Sequence, residues 1–557
     1  MKVGSPSLRA NTQRIDLWQI STLLFALLAL VPLLAIAYLA FSPEENIWPH
    51  LLSTSLLRYV SNTLILMLGV GISIFLTGVS TAYVVSHYEF PLRRAFEWLL
   101  LLPLAVPAYV IAYLYTDLLE FAGPVQSALR ELFGWKLASD YWFPEVRSMG
   151  GGILLMGLVL YPYVYLLARA AFLEQSPNLL EVSRLLGRNE LRSFLTVSLP
   201  IARPAIAVGV ALGLMETLND FGTVDFFAIK TLTAGLYDVW LGMGNVGGAA
   251  QIALTMLTFV ILLLSLEYFG RRKQRFYQSN ARFKARDRKA LNGKAKWMTM
   301  IVCLVPIVGG FVIPMFMLVK YAIIYFDRSW TADFQQYIFN SLFLSTMAAG
   351  IAVLIALIVA YSRRLHKTKL MLFASRFASL GYAVPGAVLA IGVIIPFAAF
   401  DNALDSFFRE YLGFSTGLLL SGSVFAVIFA YVVRFMAVSI GSVESSFGKI
   451  SESVDMASRT LGYSPVKALQ RFHLPLLKGG LLTAGLVVFV DSMKELPATL
   501  ILRPFNFETL ATHVYQFASD EMIGESALGS LIIVLVGLLP VIVLSRTIER
   551  SASTRKL

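Results

Sequence analysis

Residues 62–86 read NTLILMLGVGISIFLTGVSTAYVVS, a stretch without a single Asp, Glu, Lys or Arg. A helix needs about 20 such residues to cross the hydrocarbon core of a bilayer, where its backbone polar groups must be satisfied within the segment. The stretch is long enough for one crossing and therefore predicts a transmembrane helix.

The whole chain has the same apolar character. Of its 557 residues, 57% are apolar and 14% are charged, whereas a soluble domain carries about 25% charged residues. The mean hydropathy is +0.71. These values exclude a soluble multidomain protein and a disordered chain, and the single cysteine, Cys303, excludes a disulfide scaffold. The composition is that of a polytopic membrane protein.

Long runs without an acidic or basic residue give the number of spans. Two shorter apolar stretches begin at Pro204 and Gly479, and they meet acids at Glu216 and Asp491. Their matching form indicates spans with polar C-terminal ends. The sequence thus predicts an all-α membrane protein with about twelve transmembrane helices. Ten of them lie in the charge-free runs 17–43, 62–86, 98–116, 148–168, 239–266, 297–319, 334–362, 377–400, 411–433 and 526–545.

Basic residues concentrate in alternate loops. The segment 270–297 holds eleven Lys and Arg against one acid, Asp287, and contributes most of the net charge of +12. Positive charge in short loops marks the cytoplasmic side, so both termini are predicted to be cytoplasmic. A basic run could also bind nucleic acid, but between two spans it is better explained as an orientation signal.

The chain is an internal duplication. Ser61-Asn62-Thr63-Leu64 corresponds to Phe339-Asn340-Ser341-Leu342 at a shift of 278, and Leu199-Pro200 corresponds to Leu474-Pro475 at a shift of 275. Six spans per repeat give both halves the same orientation and suggest a pathway between them. The predicted organisation is a cytoplasmic N-terminus with the first span (1–55), a first core repeat (56–268), a basic linker (269–297), the seventh span with an outer loop (298–335), a second core repeat (336–546) and a cytoplasmic tail (547–557).

The loop between the fourth and fifth spans of each half carries a repeated pattern. Predicted helices over 178–186 and 453–461 end at Gly187 and Gly462, where a glycine C-cap needs a positive φ. Twelve residues separate each glycine from a proline, Pro200 or Pro475, that stands near the predicted start of the next helix. A capped connector would explain one such loop, whereas two at identical spacing predict a rigid knob that contacts a soluble partner.

Acidic residues recur at the ends of the fifth spans. Glu216 and Asp220 are four residues apart, which predicts one helix face, and Asp491 and Glu495 repeat the spacing with Lys494 beside them. Ionisable groups at membrane depth suggest a translocation pathway. The alternative is that these acids pair with Lys494 or Arg503, or act as helix caps. Tyrosines add oxygen atoms that suit a hard cation; they include Tyr113, Tyr163, Tyr237 and Tyr431.

These loops resemble those of the inner-membrane permeases of bacterial binding-protein-dependent ABC importers, whose signature is Glu-Ala-Ala, three residues and Gly. The first copy has Glu181-Val182-Ser183 before Gly187, and the second has Met456 where glutamate is expected, with Asp455 one position earlier. The resemblance implies that both loops dock on two copies of a cytoplasmic ATPase. The docking residues would be Glu181, Ser183, Arg184, Gly187, Pro200, Asp455, Met456, Ser458, Arg459, Gly462 and Pro475.

The segments Leu218–Phe227 and Asp491–Phe505 resemble the fused ferric-iron permeases within this family. The resemblance implies a permease subunit in the bacterial inner membrane, a periplasmic binding protein that delivers ferric iron, and ATP hydrolysed by the partner. The chain has no Gly-rich phosphate loop of its own. We therefore expect no enzyme activity, no cofactor bound by this chain and, because its five histidines are scattered, no resident metal.

Other functions remain open at this stage. Thiamine and polyamine permeases share the architecture and the loop signature. An ion-gradient-driven secondary transporter with two six-span halves is a different class, and it would have no use for paired docking loops. A membrane enzyme or scaffold would need a catalytic cluster, and the sequence contains no recognisable one.

Overall fold

The structure, a computed structural model, describes residues 16–175, 182–183, 185–272 and 288–553. Within these ranges, eleven helices are long and apolar enough to cross a membrane, and the number is twelve when a helix pair bent by 90° is counted as one span. The predicted class, an all-α polytopic membrane protein with about twelve spans, is confirmed. The spans, first to twelfth, are Leu17–Phe41, Leu56–His87, the bent pair Arg93–Ala105 and Ala108–Phe133, Met149–Glu174, Glu190–Asn219, Val246–Ser265, Gly293–Ile324, Ala332–Leu365, Gly386–Leu412, Val424–Phe447, Pro465–Met493 and Ile523–Pro540.

Shorter elements complete the described chain. The helix of the sixth span continues to Arg272, and that of the twelfth to Ser553. A parallel pair of two-residue strands, Tyr88–Glu89 and Lys289–Ala290, joins the end of the second span to the linker. Within the third span the regular segments are Arg93–Leu99, Leu102–Ala105, Ala108–Leu119 and Pro124–Phe133. The connecting helices are Trp48–Thr54, Ala138–Asp140, Gly222–Phe226, Leu232–Tyr237, Asp238–Gly242, Phe326–Ser329, Lys369–Ala378, Leu380–Ala383, Glu452–Thr460, Pro497–Leu502 and Leu510–Ser519.

The predicted bounds of the tenth span were wrong. The run 411–433 was taken to end before Arg434, but the helix is Val424–Phe447 and contains this residue. The Arg434 side chain is buried and its guanidinium lies 3.1 Å from the carboxylate of Glu495. A paired charge does not have to end a membrane helix, which is why counting charge-free residues misplaced this span.

The repeated Asn-Thr and Asn-Ser motifs make the same contacts in both halves. The side-chain amide of Asn62 donates to the carbonyl of Lys230 at 3.0 Å, and that of Asn340 donates to the carbonyl of Glu508 at 2.9 Å. The next residue of each motif accepts a backbone N–H with its hydroxyl. The N–H of Leu232 donates to Thr63 at 2.9 Å, and that of Leu510 donates to Ser341 at 2.7 Å. Donor and acceptor are both displaced by 278 residues, so the duplicated sequence encodes a duplicated joint between the second span of each half and the connection before its sixth span.

The first and seventh spans each pack on both halves. The first span packs against the sixth span of its own half and against the eighth and ninth spans of the second half. At the second half the Trp18 and Tyr361 rings meet edge to face at 5.0 Å, and the carboxylate of Asp16 lies 2.8 Å from His366. The seventh span packs against the twelfth span of its own half and also reaches the first half, where the hydroxyl of Tyr115 donates to the carbonyl of Gly309 at 2.7 Å. Each core repeat is therefore held by a helix from the opposite half.

Among the described residues, three spans contain a single π turn that ends two residues before a proline. The turns are Phe194–Ser198, Val308–Val312 and Leu469–His473, and the prolines are Pro200, Pro314 and Pro475. Proline lacks an N–H group and its ring crowds the carbonyl four residues earlier, which favours a locally wider turn. The regular helices do resume at Leu199 and Leu474, as predicted, but the fifth and eleventh spans begin earlier, at Glu190 and Pro465.

Candidate functional site

The two loops that contain Gly187 and Gly462 have the same glycine turn. Gly187 has a φ of +78° and Gly462 a φ of +74°. After Gly462, the N–H of Tyr463 donates to the carbonyl of Ser458 at 3.1 Å, and the N–H of Gly462 donates to that of Arg459 at 3.0 Å. These two bonds form a Schellman motif. The predicted glycine caps are therefore confirmed in both halves, together with the helix over 453–461, which is observed as Glu452–Thr460.

Apolar side chains surround these two turns on the surface. Leu185 and Leu186 are 86% and 72% exposed beside Gly187, and Met456 and Leu461 are 62% and 68% exposed beside Gly462. Large apolar groups held in the open on a rigid turn mark an interaction surface. The structure thus gives both loops a surface that a partner can cover.

The polar residues predicted to dock differ in their exposure to solvent. Ser183 and Ser458 are buried, and the Ser183 hydroxyl lies 2.8 Å from that of Ser193. Arg459 is exposed. Glu181 and Arg184, which were also predicted to dock, lie outside the described residues.

Asp455 is engaged within the protein. Its carboxylate lies 2.7 Å from the guanidinium of Arg364 and 3.0 Å from the ring of His473. Arg364 also donates to the carbonyl oxygens of Phe447 (2.7 Å) and Ile450 (2.9 Å). Asp455 therefore anchors the second loop to the end of the eighth span, where Arg364 also holds the end of the tenth span, and it is Met456 that is presented at the surface.

Replacing Asp455 by asparagine should loosen the second loop. The change leaves the partly buried Arg364 without its anion, and a loss of about 1–3 kcal/mol in local stability is expected. Limited proteolysis with trypsin measures this directly, because exposed Arg459 and Lys467 flank the turn. The matched control is Glu452→Gln on the same helix, whose partner Lys367 is exposed and lies 2.6 Å away; that ammonium holds the pKa of Glu452 below its usual range. Faster cleavage in the control than in Asp455→Asn would contradict the anchoring role.

The predicted acidic residues meet in one cavity between the halves. A cavity of about 100 Å³ is lined by Glu216, Asp220, Asp491, Lys494 and Glu495. Its other lining residues include Tyr109, Tyr163, Asn219 and Arg434. The structure thus brings together all five residues singled out from the sequence, and four carboxylates share the space with two cations.

The second-half carboxylates are directly paired with cations. The ammonium of Lys494 lies 3.1 Å from Asp491, and the guanidinium of Arg434 lies 3.1 Å from Glu495. Glu495 also accepts the N–H groups of Ala498 and Thr499, each at 3.1 Å, at the start of the helix Pro497–Leu502. The expected alternative, pairing and capping, therefore describes this half of the cavity, although Arg503 pairs instead with Glu508.

The first-half carboxylates have neutral contacts. Glu216 accepts the Tyr382 hydroxyl at 3.4 Å, and Asp220 accepts the N–H of Thr223 at 2.8 Å. The prediction that Glu216 and Asp220 share a helix face was wrong, since the helix ends at Asn219 and Asp220 has extended backbone angles. Asp220 instead caps the short helix Gly222–Phe226, as Glu495 does for its own.

A three-residue contact joins the halves at the cavity. The side-chain oxygen of Asn219 accepts the N–H of Gly386 at 2.6 Å and the guanidinium of Arg434 at 3.0 Å. Any β-carbon at residue 386 would collide with the Arg434 guanidinium and the Glu495 carboxylate. A side chain at position 386 would therefore displace the ends of the Arg434 and Glu495 side chains that form the buried ion pair.

Of the four tyrosines named from the sequence, Tyr163 lines the cavity. The hydroxyl of Tyr237 donates to the carbonyl of Pro497 and that of Tyr431 lies against the Thr499 hydroxyl, each at 2.5 Å. Tyr109, which was not among the four, also lines the cavity and is 4% exposed. Nothing in the local sequence separates a cavity-facing phenol from a structural one, because both lie in apolar helices.

A conventional metal centre is not present among the described residues, where no three His, Cys, Asp or Glu side chains come close enough to hold an ion. The cavity offers instead a sparse set of carboxylate, phenol and amide oxygens. Such a site can contact a passing cation without retaining it.

A comparison with protein families defines the class. Residues 69–275 match the model of the binding-protein-dependent transport system inner membrane component. The first repeat is therefore similar to this family's membrane domain, which is the resemblance that its loop signature predicted.

Two relatives with ferric transport in their names match this chain over most of its length. An Fe(3+)-transport system permease protein of Haemophilus influenzae is 25% identical over 494 residues, which cover 87% of this chain and 89% of the relative. A ferric transport system permease protein of Actinobacillus pleuropneumoniae is 23% identical, over 89% and 72% of the two chains. The molybdenum transport system permease protein of Escherichia coli is 26% identical over 35% of this chain and 84% of its own. The predicted resemblance to the ferric-iron permeases is confirmed.

Proposed function

We propose that this chain is the membrane-spanning subunit of an ATP-driven importer that moves ferric iron from a periplasmic binding protein into the cytoplasm. The observation that carries the proposal is the oxygen-lined cavity between the halves, in which four carboxylates outnumber two cations. An excess of negative charge favours a cation over an oxyanion such as molybdate. The relatives from Haemophilus influenzae and Actinobacillus pleuropneumoniae, which match 87% and 89% of this chain, carry ferric transport in their names.

The same proposal includes the partners and the orientation. Two copies of a cytoplasmic ATPase would bind the two loops around Gly187 and Gly462, and would hydrolyse the ATP. The basic residues of 270–297 would then lie in the cytoplasm of a bacterial cell, with both termini on that side of the inner membrane. The first and seventh spans would then lie outside the two core repeats, 56–268 and 336–546. The chain needs the lipid bilayer and no nucleic acid.

Alternating access at this cavity would follow from the docking geometry. The rigid turns connect directly to the fifth and eleventh spans, and those spans end at the cavity acids. Closure of two ATPase subunits would therefore move Glu216 and Asp491 with the helices that bear them. A polyamine would be the alternative cargo, because it too is a cation.

Uptake of labelled ferric iron tests the proposal. The chain would be co-expressed with its ATPase and binding protein, and iron accumulation would be compared with the double variant Glu216→Ala/Asp491→Ala. We expect uptake to fall at least tenfold while the ATPase still co-purifies, because the acids lie in the cavity, far along the chain from the docking turns. Unchanged uptake in the variant, or wild-type import of spermidine in place of iron, would refute the proposed role.

A further inference from the structure

The carboxylates of the central cavity are not equivalent, and we infer that Glu216 and Asp220, together with the phenol of Tyr109, form a one-sided contact site for a hard trivalent metal cation. The inference rests on the proposed function and names the groups that the cargo touches. The second-half carboxylates, Asp491 and Glu495, belong to fixed ion pairs instead.

The asymmetry arises from two positions where the repeats differ. Lys494 corresponds to Asn219 at the shift of 275, and Arg434 corresponds at the same shift to Val159. All four of these residues line the cavity. The duplication therefore retained the acids in both halves and placed both cations in the second. An incoming cation would be repelled by Lys494 and Arg434 and attracted to the acids that no cation contacts directly.

The Tyr109 hydroxyl provides a second observation, separate from the carboxylates, that points to a ligand in the cavity. Its side chain is 4% exposed and lines the cavity, yet its hydroxyl has no hydrogen-bond partner among the described residues. A buried hydroxyl without a partner carries an uncompensated desolvation penalty. A cation held at Asp220 would use this oxygen and remove the penalty.

The donor set fits a hard cation that is bound transiently. Carboxylate, phenol and amide oxygens are the ligands that hard ions prefer. Two carboxylates, in place of three or more, give a weak site, and conduction requires binding strong enough to admit the ion and weak enough to release it.

Terbium(III) binding tests the site without transport. Tb³⁺ is a hard trivalent cation whose luminescence is sensitised by a nearby tyrosine, and it would be titrated into the full chain in lipid nanodiscs. We expect Glu216→Gln and Asp220→Asn each to weaken the tyrosine-sensitised binding by roughly tenfold or more. Tyr109→Phe should remove the oxygen and weaken binding less. Asp333→Asn, at an exposed acid in the first turn of the eighth span, is the control for surface binding.

A gain of affinity gives the sharper test. Lys494→Asn copies the first-half residue Asn219 into the second half and frees the Asp491 carboxylate. We expect Tb³⁺ to bind roughly tenfold more tightly, and the double variant Lys494→Asn/Asp491→Asn to lose that gain. La³⁺ should compete with Tb³⁺, whereas spermidine should not.

The outcomes separate the site from the function. Wild-type affinity in Glu216→Gln, weaker binding in Lys494→Asn, or displacement by spermidine alone would each overturn the one-sided metal site, even where the importer takes up iron. An importer that fails to take up ferric iron would overturn the proposed function. In that case the terbium titrations would still decide the site, because they need neither the ATPase nor the binding protein.

Discussion

Replacing Arg434 by methionine is expected to destabilise the protein by about 3–5 kcal/mol, the typical result of leaving one partner of a buried ion pair alone. Glu495 is 4% exposed, and it would keep its backbone N–H contacts but lose its only cation within 4 Å among the described residues. The side-chain oxygen of Asn219, in the first half, would also lose the hydrogen bond from Arg434, in the second half. Thermal unfolding in detergent, followed by loss of the monodisperse chromatographic peak, measures the change.

The matched control restores charge balance. Arg434→Met/Glu495→Gln removes the carboxylate that the single variant leaves unpaired at position 495, so most of the lost stability should return. If the single variant unfolds at the wild-type temperature, or the double variant is less stable than the single one, the ion pair is not what holds this side of the cavity together.

Replacing Gly462 by valine should abolish stable association with the ATPase. A β-branched residue at a φ of +74° is strained by about 1–3 kcal/mol, so the Schellman turn should open and displace Met456 and Leu461. Co-purification of the ATPase measures the effect, and a loss of at least tenfold is expected. Gly187→Val tests the first loop in the same way.

The control for this substitution is Gly479→Val. Gly479 lies inside the helix Leu474–Met493, and a β-carbon there meets nothing within 4 Å. The same added side chain in a relaxed position should leave ATPase binding unchanged. Equal ATPase binding by Gly462→Val and the wild type would mean that the turn is not part of the docking surface.

The sequence predicted the architecture well because membrane crossing and duplication each leave a simple pattern. Charge-free runs follow from the bilayer, and the repeated Asn62 and Asn340 motifs follow from a joint that both halves need. The acids of the cavity were found by the same repeat. Functions that differ between the halves leave no such pattern.

What could not be predicted depends on contacts between distant segments. Arg434 was taken as the end of a span, because its partner Glu495 is 61 residues away and only the folded chain brings them together. Tyr109 had no distinguishing neighbours in sequence. The helix end at Asn219 was also missed, since spacing alone cannot show where a carboxylate turns from a helix face into a cap for the next helix.

The packing of the first span on the second half bears on the biosynthesis of the protein. The first span also packs on the sixth span of its own half, but its partners in the second half, Ala332–Leu365 and Gly386–Leu412, follow more than half a chain later. At ordinary translation speeds the first span waits in the bilayer on the order of tens of seconds before it can make these second-half contacts. Joining both repeats in one polypeptide ensures that the helix it waits for always arrives, in equal number and in the same patch of membrane.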